Sequence, residues 1–325
     1  MLWAGLEPNY IDIDPNTLNM SLADLIKRID EKTKVVIIQH TFGNPGPIDE
    51  VREICKQRNL YLFEDCAHGL GSKLNGQSLG TFGDAALISF GLEKVLSTRV
   101  GGALIMNNDY LRTVVDSTYK GYKWMSYCES IKWVINPVIW RVLRSSGVLQ
   151  GPLTKLFNSL GILDQGFDRS EMYGKKPKQY PRKLSNTLAS IVNEELTGLK
   201  QNLEHRKNIT NKYNELLSHL EAVRSMKLHD DNIGLVRYPV ILKDQGLRDQ
   251  VFKQLKDDDI HVGDWYDPNI WPKGTSNKGM KYTEGSCPVA EDISKRILNL
   301  QTGKNITEED VEYIVGRLKE HLIGN

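Results

Sequence analysis

The feature that most constrains the fold is the run KVVIIQH at residues 34–40, which is β-branched and apolar through its centre. Such a run is typical of a parallel strand that is buried on both faces of a sheet. The segment before it, residues 21–32, has apolar residues at helical spacing, and the segment after it, residues 48–58, has the same pattern. A buried strand between two helices predicts an α/β fold.

Further apolar runs extend this alternation over the first third of the chain. Strands joined by helices and short loops predict a mostly parallel sheet covered by helices, and ligands of such sheets bind at the carboxyl ends of the strands. Asp65 and Ser89 each come at the end of a predicted strand. The predicted strands are residues 9–14, 35–39, 60–65, 85–90 and 103–107.

The pattern changes after residue 120, which divides the chain into three predicted regions. Residues 1–120 form the large domain, residues 121–183 form a tryptophan-rich insertion and a basic linker, and residues 184–325 form a smaller α/β domain. The segment 121–165 is open to two interpretations. It is either a helical hairpin that packs on the large domain, or a membrane-surface or dimer-contact element, because WVINPVIWRVL combines apolar bulk with basic side chains.

Composition excludes several classes of protein. The chain has 42 basic and 41 acidic residues, so no charge excess indicates nucleic acid or an anionic membrane as a partner. Its 4 cysteines contain no CxxC pair, which argues against a disulfide framework or a zinc site and suits a reducing cytoplasm. The first residues lack a signal peptide pattern. We therefore predict a cytoplasmic protein with a small-molecule ligand and no metal.

A lone lysine follows one of the predicted strands. In SFGLEKVLSTRVGG, residues 89–102, Lys94 lies between Ser89 and a glycine pair. Because Asp65 ends another strand of the same sheet, both side chains can reach one cleft. By itself this spacing favours a structural ion pair between Lys94 and Asp65, which is the commoner case.

The longer string resembles the core of the DegT/StrS-type sugar aminotransferases, a branch of the fold-type-I pyridoxal phosphate enzymes. In that family a strand ends in Glu-Asp, small residues and a Gln or His follow, and a glycine turn ending in Asp precedes Ser-Phe, the Schiff-base lysine and Gly-Gly. The matching residues are Glu64-Asp65, Ala67-His68, Gly76, Gly80, Gly83-Asp84, Ser89-Phe90, Lys94 and Gly101-Gly102. The resemblance implies a fold-type-I αβα sandwich with a mostly parallel sheet, plus a smaller C-terminal α/β domain.

The resemblance also implies a role for each site residue. Lys94 would form the Schiff base with pyridoxal 5'-phosphate, and its freed amine would then move the proton. Asp65 would keep the pyridine nitrogen protonated. Ser89 would hydrogen-bond the phosphate, and His68 would approach the ring or its phenolic oxygen. Ser89 could instead be a strand-end cap, and His68 could be a histidine of the core.

Two further positions match the family and keep a structural alternative. His40 matches a family position near the site, and a turn-stabilising role fits it equally well. Asp84 is expected to order the turn before its strand.

The implied activity is transfer of an amino group to a nucleotide-linked keto-sugar in amino-sugar or polysaccharide biosynthesis. Glutamate is the implied amino donor, and a homodimer is the implied assembly. The alternatives are a non-catalytic homologue that keeps the fold but binds the cofactor poorly, and a lysine-containing relative that uses the cofactor for another reaction.

Two departures from the family pattern bear on cofactor binding. The family's N-terminal portion, with a phosphate loop and a ring-stacking aromatic residue, has no counterpart here, which predicts weak binding of the cofactor. At the family's Asn-Tyr-Arg motif the chain has QYPRKLSNTL, so that Pro181 and Lys183 occupy those positions. Arg182 or Asn186 could substitute for the missing asparagine.

Overall fold

A computed structural model describes residues 1–146, 150–159, 163, 168–229 and 234–323 of the 325-residue chain. The first half contains a four-stranded sheet in the order β1-β2-β5-β6. The first three strands in this order are parallel and the last pair is antiparallel, which confirms the mostly parallel sheet. The strands are β1 (Val35–Gln39), β2 (Tyr61–Asp65), β5 (Ala85–Ser89) and β6 (Gly102–Met106).

The predicted strand at residues 9–14 is wrong. This segment contributes only an isolated bridge between Ile13 and Met20. Its acidic side chains bind backbone N–H groups instead of leaving the segment free to pair in the sheet. Asp14 accepts hydrogen bonds from the N–H groups of residues 16 and 17 in a turn, and Asp12 accepts them from residues 289 and 290 at a helix start. Such local bonds compete with regular strand pairing.

Three helices cover one face of the sheet, namely α1 (Leu22–Arg28), α2 (Ile48–Arg58) and α6 (Asn186–Thr197). Alternate strand residues are buried beneath them, including Val36, Ile38, Leu62, Ala86 and Ile88. On the opposite face the described residues leave Ile37, Leu87 and Leu104 between 41% and 59% exposed. The composition of residues 34–40 predicts burial on both faces of the sheet. In the described part of the chain this prediction is correct for the face under the helices and wrong for the opposite face.

Shorter elements lie between and after the strands of the sheet, and a helical pair follows it. The pair consists of α4 (Tyr127–Ser145) and α5 (Gln150–Ser159), and the two helices contact each other as expected for the predicted hairpin. Residues 147–149, 160–162 and 164–165 of the segment 121–165 lie outside the described residues. No helix of the described chain is both long enough and apolar enough to cross a bilayer. The other elements are β3 (Lys73–Leu74), β4 (Gln77–Ser78), α3 (Asp109–Lys120), β7 (Lys123–Trp124) and β8 (Arg182–Lys183).

A second hydrophobic core lies in the C-terminal half around an antiparallel sheet in the order β11-β10-β9. Phe42 from the first half also packs into this core, and its carbonyl accepts the N–H of Val236 at 2.9 Å. The two halves are therefore joined close to the ends of β1 and β2. The elements are α7 (Leu199–Leu217), β9 (Arg224–Ser225), β10 (Arg237–Ile241), α8 (Gln245–Asp257), α9 (Pro288–Arg296), β11 (Ile297–Gln301) and α10 (Glu308–Ile323).

Candidate active site

A tight loop connects β5 to β6 and carries the lysine. It closes where the N–H of Phe90 donates to the carbonyl of Gly101 at 2.9 Å. Gly101 has a φ of 95°, and a Cβ there would lie 2.7 Å from a methyl of Leu184. A Cβ on Gly102 would lie 2.4 Å from the carbonyl oxygen of Ile88. Only glycine fits both positions, so the glycine pair allows the chain to return directly beside Ser89.

Lys94 and Ser89 converge above Gly91. A Cβ built on Gly91 would lie 3.2 Å from Ser89 Oγ and 3.9 Å from Lys94 Cε, which places both side chains around one point. Ser89 Oγ accepts the Gly91 N–H at 3.1 Å. The Lys94 ammonium lies 4.9 Å from the centre of the Trp265 ring. Lys94 is thereby held over the carboxyl end of β5.

Burial lowers the pKa of Lys94 from 10.5 to about 8, although the negative charges of Asp65 and Glu93 oppose this shift. A larger fraction of the amine is therefore neutral near pH 8 than for an exposed lysine. A neutral amine is the form that acts as a nucleophile or accepts a proton.

Asp65 ends β2 and is half-buried. One carboxylate oxygen accepts the N–H of Ala67 at 2.9 Å, and the other oxygen receives no hydrogen bond from the described residues. Asp65 thus presents an acceptor in the same region as the Lys94 amine. The charge of Asp65 acts on the Lys94 amine, so the two side chains lie near each other; that they share a cofactor cleft stays a prediction.

Glu64, the residue beside Asp65, points to the opposite side of the sheet and is 1% exposed. Its carboxylate accepts N–H groups from Gly80, Phe82 and Gly83 at 2.7–2.8 Å. It also lies 3.2 Å from His40 Nε2. Burial acts to raise the pKa of Glu64, but these hydrogen bonds outweigh it and lower the pKa below 4.5. Glu64 therefore fixes the glycine turn in place.

His40 and Asp84 both stabilise turns. His40 Nδ1 accepts the N–H of Gly46, so the hydrogen-bond network assigns the proton to Nε2, which faces Glu64. Asp84 accepts the N–H of Leu62 and the side-chain amide of Asn108, each at 2.9 Å. Asp84 therefore orders its turn as predicted. Of the two roles considered for His40, these contacts support the turn-stabilising one.

His68 is 2% exposed and lies between two aromatic rings. It stacks on Phe42 at 5.9 Å and on Trp265 at 5.4 Å, between ring centres. Its Nδ1 accepts the N–H of Phe42, and its Nε2 lies 3.5 Å from the hydroxyl of Tyr266. Burial, together with the charge of Lys94, holds the pKa of His68 well below 6.5. His68 is therefore neutral at pH 7 and buried among aromatic neighbours.

Four residues in the region of Lys94 were not predicted from the sequence, namely Glu93, Arg237, Trp265 and Tyr266. Trp265 and Tyr266 come from the segment WYDPNIWP, whose density of aromatic residues and prolines was the available signal. Arg237, at the start of β10, binds Glu93 at 2.5 Å and lies 5.8 Å from the Trp265 ring centre. Burial acts to raise the pKa of Glu93, but hydrogen bonds from His261 and Arg237 lower it to about 2. The second half of the chain thus supplies an aromatic wall and an ion pair.

Two cavities adjoin these residues. One of about 330 Å³ is lined by Lys94, Glu93, Arg206 and Arg237 among others. Another of about 380 Å³ is lined by Gln39, Phe42 and Tyr266 among others. Cavities of this size accommodate small molecules.

Arg182 and Asn186, the two candidate replacements, and the neighbouring Lys183 lie elsewhere. Arg182 forms an ion pair with Glu129 at the start of α4. Lys183 lies over the rings of Tyr119 and Trp124, at 5.0 and 5.3 Å. Asn186 is exposed at the start of α6. Within this chain none of the three contacts Lys94, Asp65 or Ser89 through a hydrogen bond, ion pair or ring contact described for it.

Comparison with known proteins identifies the chain. The model of the DegT/DnrJ/EryC1/StrS aminotransferase family matches residues 1–319. The chain belongs to this family. The predicted family is therefore confirmed, and so is pyridoxal phosphate as the cofactor that its aminotransferases use.

Relatives with curated names match over different lengths. GDP-perosamine synthase of Escherichia coli O157:H7 is 38% identical over 109 residues, which are 34% of this chain and 30% of that protein. A dTDP-4-dehydro-2,3,6-trideoxy-D-glucose 4-aminotransferase of Saccharopolyspora spinosa is 25% identical over 320 residues, covering 98% of this chain and 73% of that protein.

Solved structures agree in fold. PseC of Helicobacter pylori, an aminotransferase of pseudaminic acid biosynthesis, has a TM-score of 0.74 at 17% identity. The match covers 100% of this chain and 76% of the PseC chain. The aminotransferase TlmJ of Streptoalloteichus hindustanus has a TM-score of 0.72 at 23% identity, with 98% and 74% covered. The predicted fold class is therefore confirmed.

Proposed function

We propose that the chain is a pyridoxal phosphate-dependent aminotransferase that acts on a nucleotide-linked keto-sugar in polysaccharide biosynthesis. One observation carries the proposal: the Lys94 amine, whose pKa is lowered to about 8, lies near the Asp65 carboxylate at the carboxyl end of the sheet. The substrate class is supported by the relatives, which are named for GDP-linked and dTDP-linked sugars.

The residues present fit the cofactor. Lys94 supplies an amine that can hold the cofactor covalently, and Asp65 has a carboxylate oxygen that no described residue hydrogen-bonds. Ser89 supplies a hydroxyl at the end of β5 for the phosphate. When bound, pyridoxal phosphate accepts the electron pair that remains when the substrate loses a proton next to its amino group.

Each residue has a task in this proposal. Asp65 holds a proton on the pyridine nitrogen, which keeps the ring electron-deficient. The neutral amine of Lys94 would take the proton from the α-carbon of the amino donor and deliver it to the cofactor carbon that carried the aldehyde, and a pKa near the working pH suits both accepting and donating that proton. Trp265, which stacks on the neutral His68, lies beside the Lys94 amine and forms one side of this region.

The remaining parts of the proposal are the donor, the assembly and the compartment. We propose glutamate as the amino donor and a homodimer as the working form, both from family membership. All four cysteines are free thiols, which supports a reducing cytoplasm. We retain the division at residues 120 and 183 as a proposal for the domain boundaries.

A labelling experiment tests the proposed function. The purified chain is mixed with pyridoxal phosphate and reduced with borohydride, and the peptides are mapped by mass spectrometry. We expect the pyridoxyl group on Lys94, with labelling lost in Lys94→Ala and retained in the matched variant Lys73→Ala, whose lysine is exposed. Glutamate added before reduction should decrease the absorbance of the bound cofactor.

Other outcomes are informative. A label on a different lysine would overturn the assignment of Lys94. No label at all, from a correctly folded chain, would favour the homologue that keeps the fold but binds the cofactor poorly. A label on Lys94 without any response to glutamate, or to other amino donors, would favour a reaction other than transamination.

A further inference from the structure

Helix α4 has a buried side and an apolar exposed side. Ser130, Trp133, Asn136 and Leu143 are at most 9% exposed and pack toward the protein. The other side, which we call the outer face of α4, consists of aromatic and aliphatic residues that are 40% to 85% exposed. They are Tyr127, Ile131, Val134, Ile135, Val138 and Val142.

The outer face is a continuous stripe. Its residues recur at intervals of three and four, so they lie on one side of the helix over most of its 19 residues, a length of about 28 Å. Helices at a protein surface normally direct polar residues to solvent. A contiguous exposed apolar surface of this kind marks an interaction site.

Exposed basic residues accompany this stripe, with Arg141 on α4 itself and Lys120 and Lys123 shortly before the helix begins. Between residues 119 and 146 the acidic Glu129 stands alone among several basic residues, although the whole chain has a formal net charge of only +1. Glu129 is bound by Arg182 and by the N-cap Ser126, so its charge is compensated inside the fold. Besides Lys132, which is engaged within the fold and lies over the Trp133 ring, the described basic residues of this segment are Lys120, Lys123 and Arg141.

Aromatic side chains lie at one end of the stripe. Trp124 is 57% exposed and Tyr119 is 45% exposed, and the ammonium of Lys183 lies over both rings. Aromatic rings next to basic groups are typical of protein segments at the boundary between the lipid headgroups and the acyl chains.

We propose that the outer face of α4 binds the surface of an anionic lipid bilayer, with the helix lying in the plane of the membrane. The charge decides between this occupant and a second copy of the chain. Two copies paired through this face would bring like basic groups together, whereas anionic headgroups complement them. The proposal is independent of the proposed aminotransferase function, because none of these residues contacts Lys94 or Asp65.

Vesicle flotation of the full chain tests the proposal. We expect the protein to float with vesicles of phosphatidylcholine containing about a third phosphatidylglycerol, and to float less with pure phosphatidylcholine or at high salt. Val138→Asp should weaken binding at least about tenfold, because it places a charge at the centre of the apolar stripe. Arg141→Gln should weaken it about fivefold.

Matched controls keep the result specific. Ile26→Asp introduces the same charge at an aliphatic residue of α1 that is 52% exposed, and it should bind vesicles like the parent. Circular dichroism of each variant verifies the fold, and light scattering gives the oligomeric state.

Three outcomes would overturn the proposal. The first is no flotation of the parent with anionic vesicles. The second is equal loss of binding in Val138→Asp and Ile26→Asp. The third is a change of oligomeric state in Val138→Asp with vesicle binding unaltered, which would assign the outer face of α4 to a second copy of the chain.

Discussion

The two faces of the four-stranded sheet perform different tasks, and the neighbours Glu64 and Asp65 show the contrast. Glu64 faces the helices, is 1% exposed and binds three backbone N–H groups. Asp65 faces the other way, is half-buried and has an oxygen without a hydrogen bond from any described residue. Both are carboxylates at the end of the same strand, so their side-chain chemistry alone does not distinguish them.

Successive side chains of a strand point to opposite faces of the sheet, so the neighbours Glu64 and Asp65 contribute separately to stability and to chemistry. On the covered face, each polar group is satisfied by the fold and removing it leaves backbone donors unpaired. On the open face, polar groups at the strand ends are available to a ligand. Substitutions on the two faces should consequently separate loss of stability from loss of activity.

The largest expected effect is that of Asp65→Ala on turnover. We expect transamination to fall about a thousandfold, because an unprotonated pyridine accepts electrons poorly and a positioned proton-transfer partner typically contributes 10²–10⁴-fold. The free energy of unfolding should change little, since Asp65 accepts one described backbone hydrogen bond. Steady-state kinetics and urea denaturation measure the two quantities. Turnover equal to that of the parent would mean that Asp65 is not the residue that pairs with the cofactor.

Glu64→Gln should produce the reverse result. We expect the free energy of unfolding to fall by about 3 kcal/mol, because an amide cannot accept all the N–H groups that the carboxylate accepts, and a buried unpaired donor costs about 1–3 kcal/mol. Glu50→Gln, an exposed glutamate on α2, is the matched control and should change stability by less than about 0.5 kcal/mol.

The pH dependence of stability gives a second measurement on Glu64. Its pKa is lower in the folded state than the ordinary value of 4.5, so its stabilising contribution is complete above about pH 4.5 and is lost as the pH falls through the folded value. The parent should therefore lose more stability than Glu64→Gln between neutral pH and pH 4. Parallel curves for the two proteins would contradict the assigned role of this carboxylate.

The residues on the open face differ in how far the sequence predicted them. The positions of Asp65 and Ser89 at strand ends could be predicted, because parallel strands place their carboxyl ends at one edge, whereas the role of Lys94 comes from the resemblance to the family and stays a prediction. Trp265 and Tyr266 could not, because their position depends on how the second core packs against Phe42 at the end of β1. Periodicity does not encode such contacts between distant segments.

The wrong strand at residues 9–14 has a similar origin. Its apolar and polar residues alternate as in a strand, but the partners of Asp12 lie almost 280 residues away at the start of α9. The sequence pattern contains no information about that pairing.

Ser89→Ala should have an intermediate effect that separates its two possible roles. As a phosphate ligand Ser89 donates a charge-assisted hydrogen bond, so we expect cofactor affinity to fall about tenfold. Absorbance titration measures this, with Ser117→Ala on the exposed side of α3 as control. If affinity is unchanged while stability falls, Ser89 acts only as the strand-end cap that accepts the Gly91 N–H.

The smallest expected effect is a shift in the pH profile of Lys94, and it links both faces. With a pKa of about 8, the neutral fraction of the amine increases roughly fivefold from pH 7 to 8 and levels off above pH 9, so the rate of cofactor capture should follow that curve. For an unperturbed lysine the neutral fraction would still increase about tenfold per pH unit near pH 9.

Two variants connect this profile to the two faces of the sheet. Because the charge of Asp65 raises the pKa of Lys94, Asp65→Asn should move the midpoint to lower pH. Glu64→Gln should leave the midpoint in place, since Glu64 faces the opposite side of the sheet. Stopped-flow capture measured in buffers from pH 6 to 10 distinguishes these cases, and a midpoint that moves equally in both variants would show that the two faces are not electrostatically separate.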